Sequence, residues 1–154
     1  GVDFVEPGFN YRLTDFQAAL VVGQLQRFGD DLRRRRALAE VYAGELALCE
    51  AVQCPQADAG HAWQSYMIVL EDSLNRNDII AALRERGVET TIGAYAMPQL
   101  DYYQRIYGHE ANHFPVASRL FAQGLVLPIY GKLTEDDVRR VCQELKQVIG
   151  FEKH

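Results

Sequence analysis

The first long hydrophobic pattern in the chain begins at Thr14. Thr14 and Gln17 have the spacing of a capping box, in which each side chain bonds the other residue's backbone amide, so a helix is predicted to start here. From Phe16 to Leu25 the residues are apolar on nearly every side of that helix. A helix that is apolar all round must be covered on more than one side. The pattern therefore predicts a partner beyond one small core.

The rest of the chain divides into short helices and strands. Gly29 is predicted to end the first helix, and Asp30 to open a second helix that runs to about Leu48. Apolar or β-branched runs predict three strands, at residues 66–70, 88–92 and 125–127. Further helices are predicted from Ser73 or Asn75 to Gly87, from Pro115 to Gly124, and from Thr134 to about Ile149. Residues 53–60 are predicted to form a loop, and residues 93–113 a long loop with one irregular helical turn.

This order of elements predicts an α+β fold. The expected architecture is a small three-stranded, mainly antiparallel sheet with helices packed on one side, preceded by two N-terminal helices. Residues 1–12, which contain Pro7 and Gly8, are predicted to form an extended arm, and residues 13–154 a single domain. A chain of 154 residues is long enough for one ordinary hydrophobic core.

Composition excludes several classes of protein. A formal net charge of −5 argues against a nucleic-acid partner, because phosphates are bound by clustered positive charge. The one basic run, at 33–36, is flanked by acids and is predicted to form a solvated, salt-bridged helix face, with a phosphate-binding patch as the alternative. No apolar stretch approaches the roughly eighteen residues that indicate a membrane span, so no membrane partner is predicted.

Metal and disulfide chemistry have little support in the sequence. Cys49, Cys54 and Cys142 are odd in number and irregularly spaced, which is typical of a reducing compartment and predicts the cytoplasm. His109 and His113 have the helical spacing of metal ligands but lack an accompanying acidic pattern. No metal site is predicted.

Several short motifs occur in an order that resembles one enzyme family. They are GFNYRLTDFQAA at 8–19, QLQR at 24–27, HAWQSY at 61–66, RGVET at 86–90 and LVLPIY at 125–130. In this order they resemble the C-terminal part of the DegT/StrS group of sugar aminotransferases, of the fold type I superfamily. These enzymes use pyridoxal phosphate to aminate keto sugars carried on nucleotides. The resemblance covers essentially the whole chain.

The resemblance implies that this chain is the C-terminal small domain of such an enzyme and that the cofactor-binding large domain is missing. Its expected partners are its own N-terminal large domain, the second subunit of a homodimer and a nucleotide-sugar substrate. No catalytic residue is predicted, because Lys132, Lys146 and Lys153 lack the desolvated setting that tunes an amine. The chain alone is expected to be inactive and not to bind pyridoxal phosphate stably.

The resemblance also implies site residues. Asn10 is expected to reach the cofactor phosphate across the dimer interface, and Arg12 can give planar, bidentate bonds to a phosphate or carboxylate. The alternative is that Asn10 is a turn residue and Arg12 an exposed charge. His61 and Trp63 are expected near the sugar nucleotide, on one side of an extended segment; otherwise Trp63 is core and His61 surface.

Tyr95 is a further candidate substrate contact, although its surroundings depart from the family pattern. Many relatives carry two histidines after the strand predicted at 88–92, whereas this chain has IGAYAMPQL at 92–100. Gly93 in this stretch indicates a close backbone approach or a sharp bend.

Two other classes of protein compete with the enzyme hypothesis. One is a stand-alone module that binds a small molecule in the aromatic loop, and the other is an interaction module that pairs through its first helix without catalysis. The apolar first helix favours an enzyme part or an interaction module, because a self-sufficient module would not leave such a helix half covered.

Overall fold

The computed structural model describes residues 12–108 and 113–151, so the predictions for Asn10, His109 and Lys153 lie outside the described residues. In chain order the helices are α1 (Asp15–Leu46), α2 (Arg76–Glu85), α3 (Asp101–Tyr107), α4 (Pro115–Gln123) and α5 (Glu135–Val148). The strands are β1 (Val52–Gln53), β2 (Tyr66–Leu70), β3 (Thr91–Ile92) and β4 (Gly124–Leu127), and a 3₁₀ helix spans Met97–Gln99.

The sheet confirms an α+β fold with antiparallel pairing. Its strand order is β1-β2-β4-β3, and each neighbouring pair is antiparallel. The prediction of three strands was wrong, because β1 adds a fourth strand, and its second residue, Gln53, was predicted to begin a loop. Val52 lies opposite Leu70 and Gln53 opposite Val69. A two-residue strand is too short to show an alternating pattern, so only its partner β2 reveals it.

The prediction of two N-terminal helices was also wrong. Helix α1 does not end at Gly29 but runs without a break from Asp15 to Leu46, a total of 32 residues. A glycine inside a helix costs only about 1 kcal/mol relative to alanine, and the end of α1 beyond it is held by buried side chains such as Tyr42 and Leu46. Asp30, which was predicted to open a second helix, instead pairs with Arg33 one turn further along.

The main core lies between one face of the sheet and three helices. Strand β2 contributes Tyr66, Ile68 and Leu70, which alternate along the strand as expected for one face. Helices α1, α2 and α5 cover these residues, and α1 and α5 also contact each other directly. Val69, from the other face of β2, is buried outside this cluster. The sheet therefore presents its second face to other parts of the molecule.

The predicted helix boundaries hold where a side chain caps the helix. Thr14 and Gln17 form the expected capping box, and Thr134 and Asp137 form another at the start of α5. Asn75 caps α2 by accepting from two backbone amides. Between residues 93 and 108 the chain is more helical than predicted, because it contains the 3₁₀ helix and α3.

Two glycines let strand β4 approach the segment that follows β3. The amide of Gly93 donates to the carbonyl of Gly124 at 2.8 Å. A β-carbon on Gly93 would lie 2.5 Å from Met67 Sδ and 2.9 Å from the backbone of Gly124. Real β-carbons do not make contacts this short, so the close approach predicted for Gly93 is confirmed.

Candidate functional site

The arginine run of α1 is bonded mainly to two loops. Arg34 donates to a backbone carbonyl of the loop after β4 at 2.9 Å, and Arg36 donates to a carbonyl of the loop before β2 at 2.8 Å. Arg33 is the member that pairs with an acid, Asp30. The predicted salt-bridged face is therefore correct for Arg33 and wrong for its neighbours. Their guanidinium groups bond carbonyls that tertiary folding brings to the helix.

Arg35 connects both loops through a single nitrogen. Its Nη1 lies 2.8 Å from the carbonyl oxygen of Trp63 and 3.2 Å from that of Gln64, both before β2. The carbonyl of Ile129, after β4, lies 3.4 Å from the same nitrogen. A hydrogen bond from a charged donor contributes about 1.5–3 kcal/mol. Arg35 thus ties the entrance of one central strand to the exit of its neighbour.

The backbone of Trp63 adopts a left-handed conformation, with φ of 51°. This conformation costs a residue other than glycine about 1–2 kcal/mol. The turn directs the Trp63 amide back at His61, where it donates to Nδ1 at 3.0 Å. The two rings lie 4.0 Å apart between centroids, and Trp63 is only 5% exposed. The two side chains do lie together, but through a turn and not through the extended segment that was predicted.

Behind Trp63 the aromatic contacts continue into the core. The Trp63 and Tyr66 ring centroids are 5.6 Å apart, and those of Tyr66 and Tyr42 are 4.6 Å apart. The Tyr42 hydroxyl donates to the carbonyl of Pro128 at 2.7 Å. Burial raises the pKa of both tyrosines, and the nearby thiol of Cys54 contributes to the increase for Tyr66. The two tyrosines are therefore neutral structural groups. Tyr66 packs directly against Trp63, and Tyr42 packs against Tyr66.

The Tyr66 hydroxyl is buried, and no partner meets hydrogen-bond geometry within the residues described. After burial, the group that most influences its pKa is the Cys54 thiol, which adds to the increase caused by burial.

A pocket of about 320 Å³ lies beside Trp63, between α1 and the loop before β2. Alanines from both elements form much of its wall, and its charged residues are Arg36, Glu40 and Asp58. Arg36 already bonds the carbonyl of Ala59. The remaining charge around the pocket is acidic, which favours a neutral polar group over an anion.

Tyr95 lies in a different cluster from His61 and Trp63. It is 65% exposed, and its ring contacts Phe121 with centroids 5.9 Å apart. The guanidinium of Arg76 lies over the same phenylalanine and donates to its backbone carbonyl. The structure therefore places the predicted substrate contacts in two groups.

Sequence reasoning missed Arg35 and Arg76. Arg35 could have been found, because it shares a helix face with the buried residues Leu38 and Tyr42 at spacings of three and seven. Arg76 had no comparable signal, since its partner Phe121 lies 45 residues away on α4.

The residues described do not fit covalent attachment of pyridoxal phosphate. Lys146 is mostly buried and lies 3.5 Å from Glu45, and Lys132 is exposed in a turn. Arg12 is exposed just before α1. Across 12–108 and 113–151 no group of three or more histidine, cysteine or acidic side chains could hold a metal ion. No helix within these ranges has the length and apolar character to cross a membrane.

The N-terminal half of α1 carries large apolar side chains that nothing in the described chain covers. Phe16 is the most exposed, at 75%. The others are Leu20, Val21, Val22, Leu25 and Phe28, and Leu13 is exposed just before the helix. So many exposed large apolar side chains on one stretch of helix mark an interaction site.

Solved structures place this architecture among sugar aminotransferases. The fold matches the putative sugar aminotransferase Spr1654 from Streptococcus pneumoniae, in its PMP form, with a TM-score of 0.84 and 24% identity over 95% of this chain and 37% of that one. It also matches the aminotransferase TlmJ from Streptoalloteichus hindustanus, with a TM-score of 0.76 and 30% identity over 88% of this chain and 36% of that one. These matches show that the chain has the fold of one part of these larger enzymes.

The model of the DegT/DnrJ/EryC1/StrS aminotransferase family matches residues 3–146. The chain therefore belongs to this family, which confirms the resemblance seen in the sequence. Among curated proteins it is 28% identical to the spore coat polysaccharide biosynthesis protein SpsC of Bacillus subtilis, over 93% of this chain and 38% of SpsC. It is 27% identical to the uncharacterized protein MJ1066 of Methanocaldococcus jannaschii, over 96% of this chain and 40% of that protein. The chain thus spans about two fifths of the length of these relatives.

Proposed function

We propose that this chain is the C-terminal domain of a pyridoxal-phosphate-dependent aminotransferase that transfers an amino group to a nucleotide-linked keto sugar. The main support for this proposal is that the family model matches nearly the whole chain, whereas the chain corresponds to only 38% of SpsC. The name of SpsC supports a role in polysaccharide biosynthesis. The lysine that holds the cofactor belongs, in this proposal, to a large domain on the N-terminal side.

The exposed apolar half of α1 is the surface that the missing parts cover. Phe16 and Leu20 lie on one side of the helix, while Leu25 and Phe28 lie on another, by the 100° step between helical residues. One flat partner cannot cover both sides. We assign the covering surfaces to the chain's own large domain and to the second subunit of a homodimer.

Residues just before α1 complete the cofactor site in this proposal. The Asn10 amide is a neutral donor suited to a phosphate oxygen across the dimer interface, and Arg12 offers a planar pair of donors. The position of Arg12 before the capped start of α1 supports this role, because the helix N-terminus also favours anions.

Two separate groups of residues contact the substrate. Trp63 lines the 320 Å³ pocket with the His61 ring packed against it, and the exposed ring of Tyr95 lies against Phe121. A nucleotide-linked sugar has parts of different chemistry, which can occupy two such surfaces. We place the enzyme in the cytoplasm, since the described cysteines are free thiols.

The alternative is a stand-alone module that binds a small molecule in the pocket beside Trp63. The pocket alone favours it. The uncovered apolar residues of α1 count against it, because an independent module would expose them to water.

The test compares the isolated chain with the enzyme that contains it. We expect the coding sequence that precedes Gly1 to specify a large domain with a cofactor-binding lysine. The protein that contains both this domain and the present chain, which we call the joined enzyme, should aminate a nucleotide-linked keto sugar. Mass spectrometry of the sugar product measures this activity. The isolated chain should give no stoichiometric adduct after treatment with pyridoxal phosphate and borohydride. An adduct on Lys132 or Lys146 of the isolated chain would contradict the assignment of roles, and a joined enzyme without aminotransferase activity would refute the function.

A further inference from the structure

The bond between Trp63 and His61 determines where the histidine carries its proton. The Trp63 amide donates to His61 Nδ1 at 3.0 Å. A neutral imidazole has one donor nitrogen and one acceptor nitrogen. Because Nδ1 accepts, the proton is on Nε2. His61 is half-buried, and its ring is held against Trp63, so its Nε2–H is a donor of defined direction.

This bond depends on the left-handed turn at Trp63. The turn points the Trp63 amide toward His61 while its carbonyl points toward α1, where Arg35 Nη1 donates to it at 2.8 Å. The same nitrogen also bonds the next carbonyl, of Gln64. Without the guanidinium, the part-buried carbonyl of Trp63 would lose its charged donor, and the turn would lose what offsets its strain.

We propose that Arg35 is a positioning residue that fixes His61 as its Nε2–H tautomer, and that this N–H donates to a neutral oxygen of the bound sugar. The second half rests on the proposed function, in which His61 and Trp63 contact the substrate. The fixed tautomer makes this position selective for a hydrogen-bond acceptor.

Local charge favours a hydroxyl or keto oxygen over a phosphate as the acceptor. Asp58 lies three residues before His61, and its carbonyl accepts from the His61 amide at 3.0 Å. Asp58 and Glu40 both line the pocket beside Trp63, where Arg36 is the one cation and bonds a backbone carbonyl. These two acids and Trp63, against which the His61 ring packs, line the same pocket, so a phosphate bound there would face two carboxylates.

The tautomer is tested by long-range ¹H–¹⁵N NMR of the histidine rings under alkaline conditions, in which imidazoles are neutral. His61 is assigned by comparison with His61→Gln. The parent should show the Nε2–H pattern, and Arg35→Gln should show a mixture of both tautomers. Trp63 is the only tryptophan, so its emission reports the same loss of packing. Arg34→Gln is the matched control, because this neighbour bonds the other loop and should leave the His61 signals unchanged.

Each result of this experiment decides the first half of the proposal. An Nδ1–H pattern in the parent would overturn it, as would an unchanged tautomer and emission in a folded Arg35→Gln. Should Arg35→Gln fail to fold, Arg35→Lys keeps the charge but loses the planar group that reaches several carbonyls. It should then shift the tautomer ratio part of the way, and an unchanged ratio would again overturn the role of Arg35.

The second half is tested in the joined enzyme by steady-state kinetics with the nucleotide sugar. His61→Phe keeps a ring but removes the donor, so KM should rise by roughly three- to tenfold with kcat little changed. His61→Gln retains an amide donor near the Nε2 position and should recover most of the affinity. Equal effects of both variants would refute a donor role.

Inhibition by inorganic pyrophosphate separates the two sources of oxygen. The inhibition constant for pyrophosphate should be the same in the parent and in His61→Phe. Weaker inhibition of His61→Phe would mean that His61 donates to a phosphate oxygen, which would overturn the sugar assignment. If the joined enzyme shows no amino transfer, the proposed function fails while the NMR result for Arg35 stands by itself.

Discussion

Replacing Gly93 by alanine should destabilise the sheet at the point where the chain leaves it toward Tyr95. The new β-carbon would lie 2.5 Å from Met67 Sδ and 2.9 Å from the Gly124 backbone. Met67 can swing its thioether away, but the Gly124 backbone is held by strand pairing. Gly93 must therefore move, which stretches its 2.8 Å bond to the Gly124 carbonyl.

Overpacking of this kind costs about 1–3 kcal/mol. For a chain of this size each kcal/mol shifts Tm by roughly 2–4 °C, so Gly93→Ala should lower Tm by roughly 2–12 °C. Thermal and urea unfolding followed by circular dichroism measure the change. Gly44→Ala is the matched control, because a β-carbon added at Gly44 would meet no atom within 4 Å and alanine favours a helix.

The control should leave Tm unchanged or raise it. Measured against Met67→Ala alone, Gly93→Ala should cost less than it does in the parent, because the clash with sulfur is gone, but it should still cost something, because the clash with the Gly124 backbone stays. A Gly93→Ala protein as stable as the parent would show that the strands can separate at no cost, which would refute the close-packing argument.

Three other predictions address the surface, the core and the cofactor. Val21→Glu with Leu25→Glu should raise the monomer fraction of the isolated chain in sedimentation while Gln24→Glu leaves it unchanged, because the first two residues belong to the exposed apolar surface of α1; a parent already monomeric at high concentration would contradict this. Burial raises the pKa of Tyr42, so the fold favours the neutral phenol, and the free energy of unfolding should fall as the pH rises past about 10, where the unfolded phenol ionises. Tyr42→Phe should reduce that alkaline loss in urea titrations, and an equal loss in both proteins would exclude the tyrosine as its source. In the joined enzyme, Asn10→Ala should weaken pyridoxal phosphate binding by roughly ten- to a hundredfold, with activity recovering as cofactor is added, because one bond to a charged group is lost; a loss of thermal stability alone would make Asn10 a turn residue.

Several features of this chain could be predicted from the sequence, because they depend on residues that are close together along the chain. The capping boxes at Thr14 and Thr134 depend on residues three positions apart, so the starts of α1 and α5 could be predicted. The close approach at Gly93 was indicated by the residue type alone. The ordered motifs also identified the family, since its pattern extends along the whole chain.

Long-range pairing decided what the sequence left open. The continuity of α1 through Gly29 depends on burial of its C-terminal half, and β1 exists only because β2 lies beside it. The carbonyls that Arg35 bonds are 28 to 94 residues away along the chain, so the arginine run looked like a charged surface. A periodic pattern records which side of an element is apolar, whereas the groups that meet a polar side chain are known only once the elements have packed together.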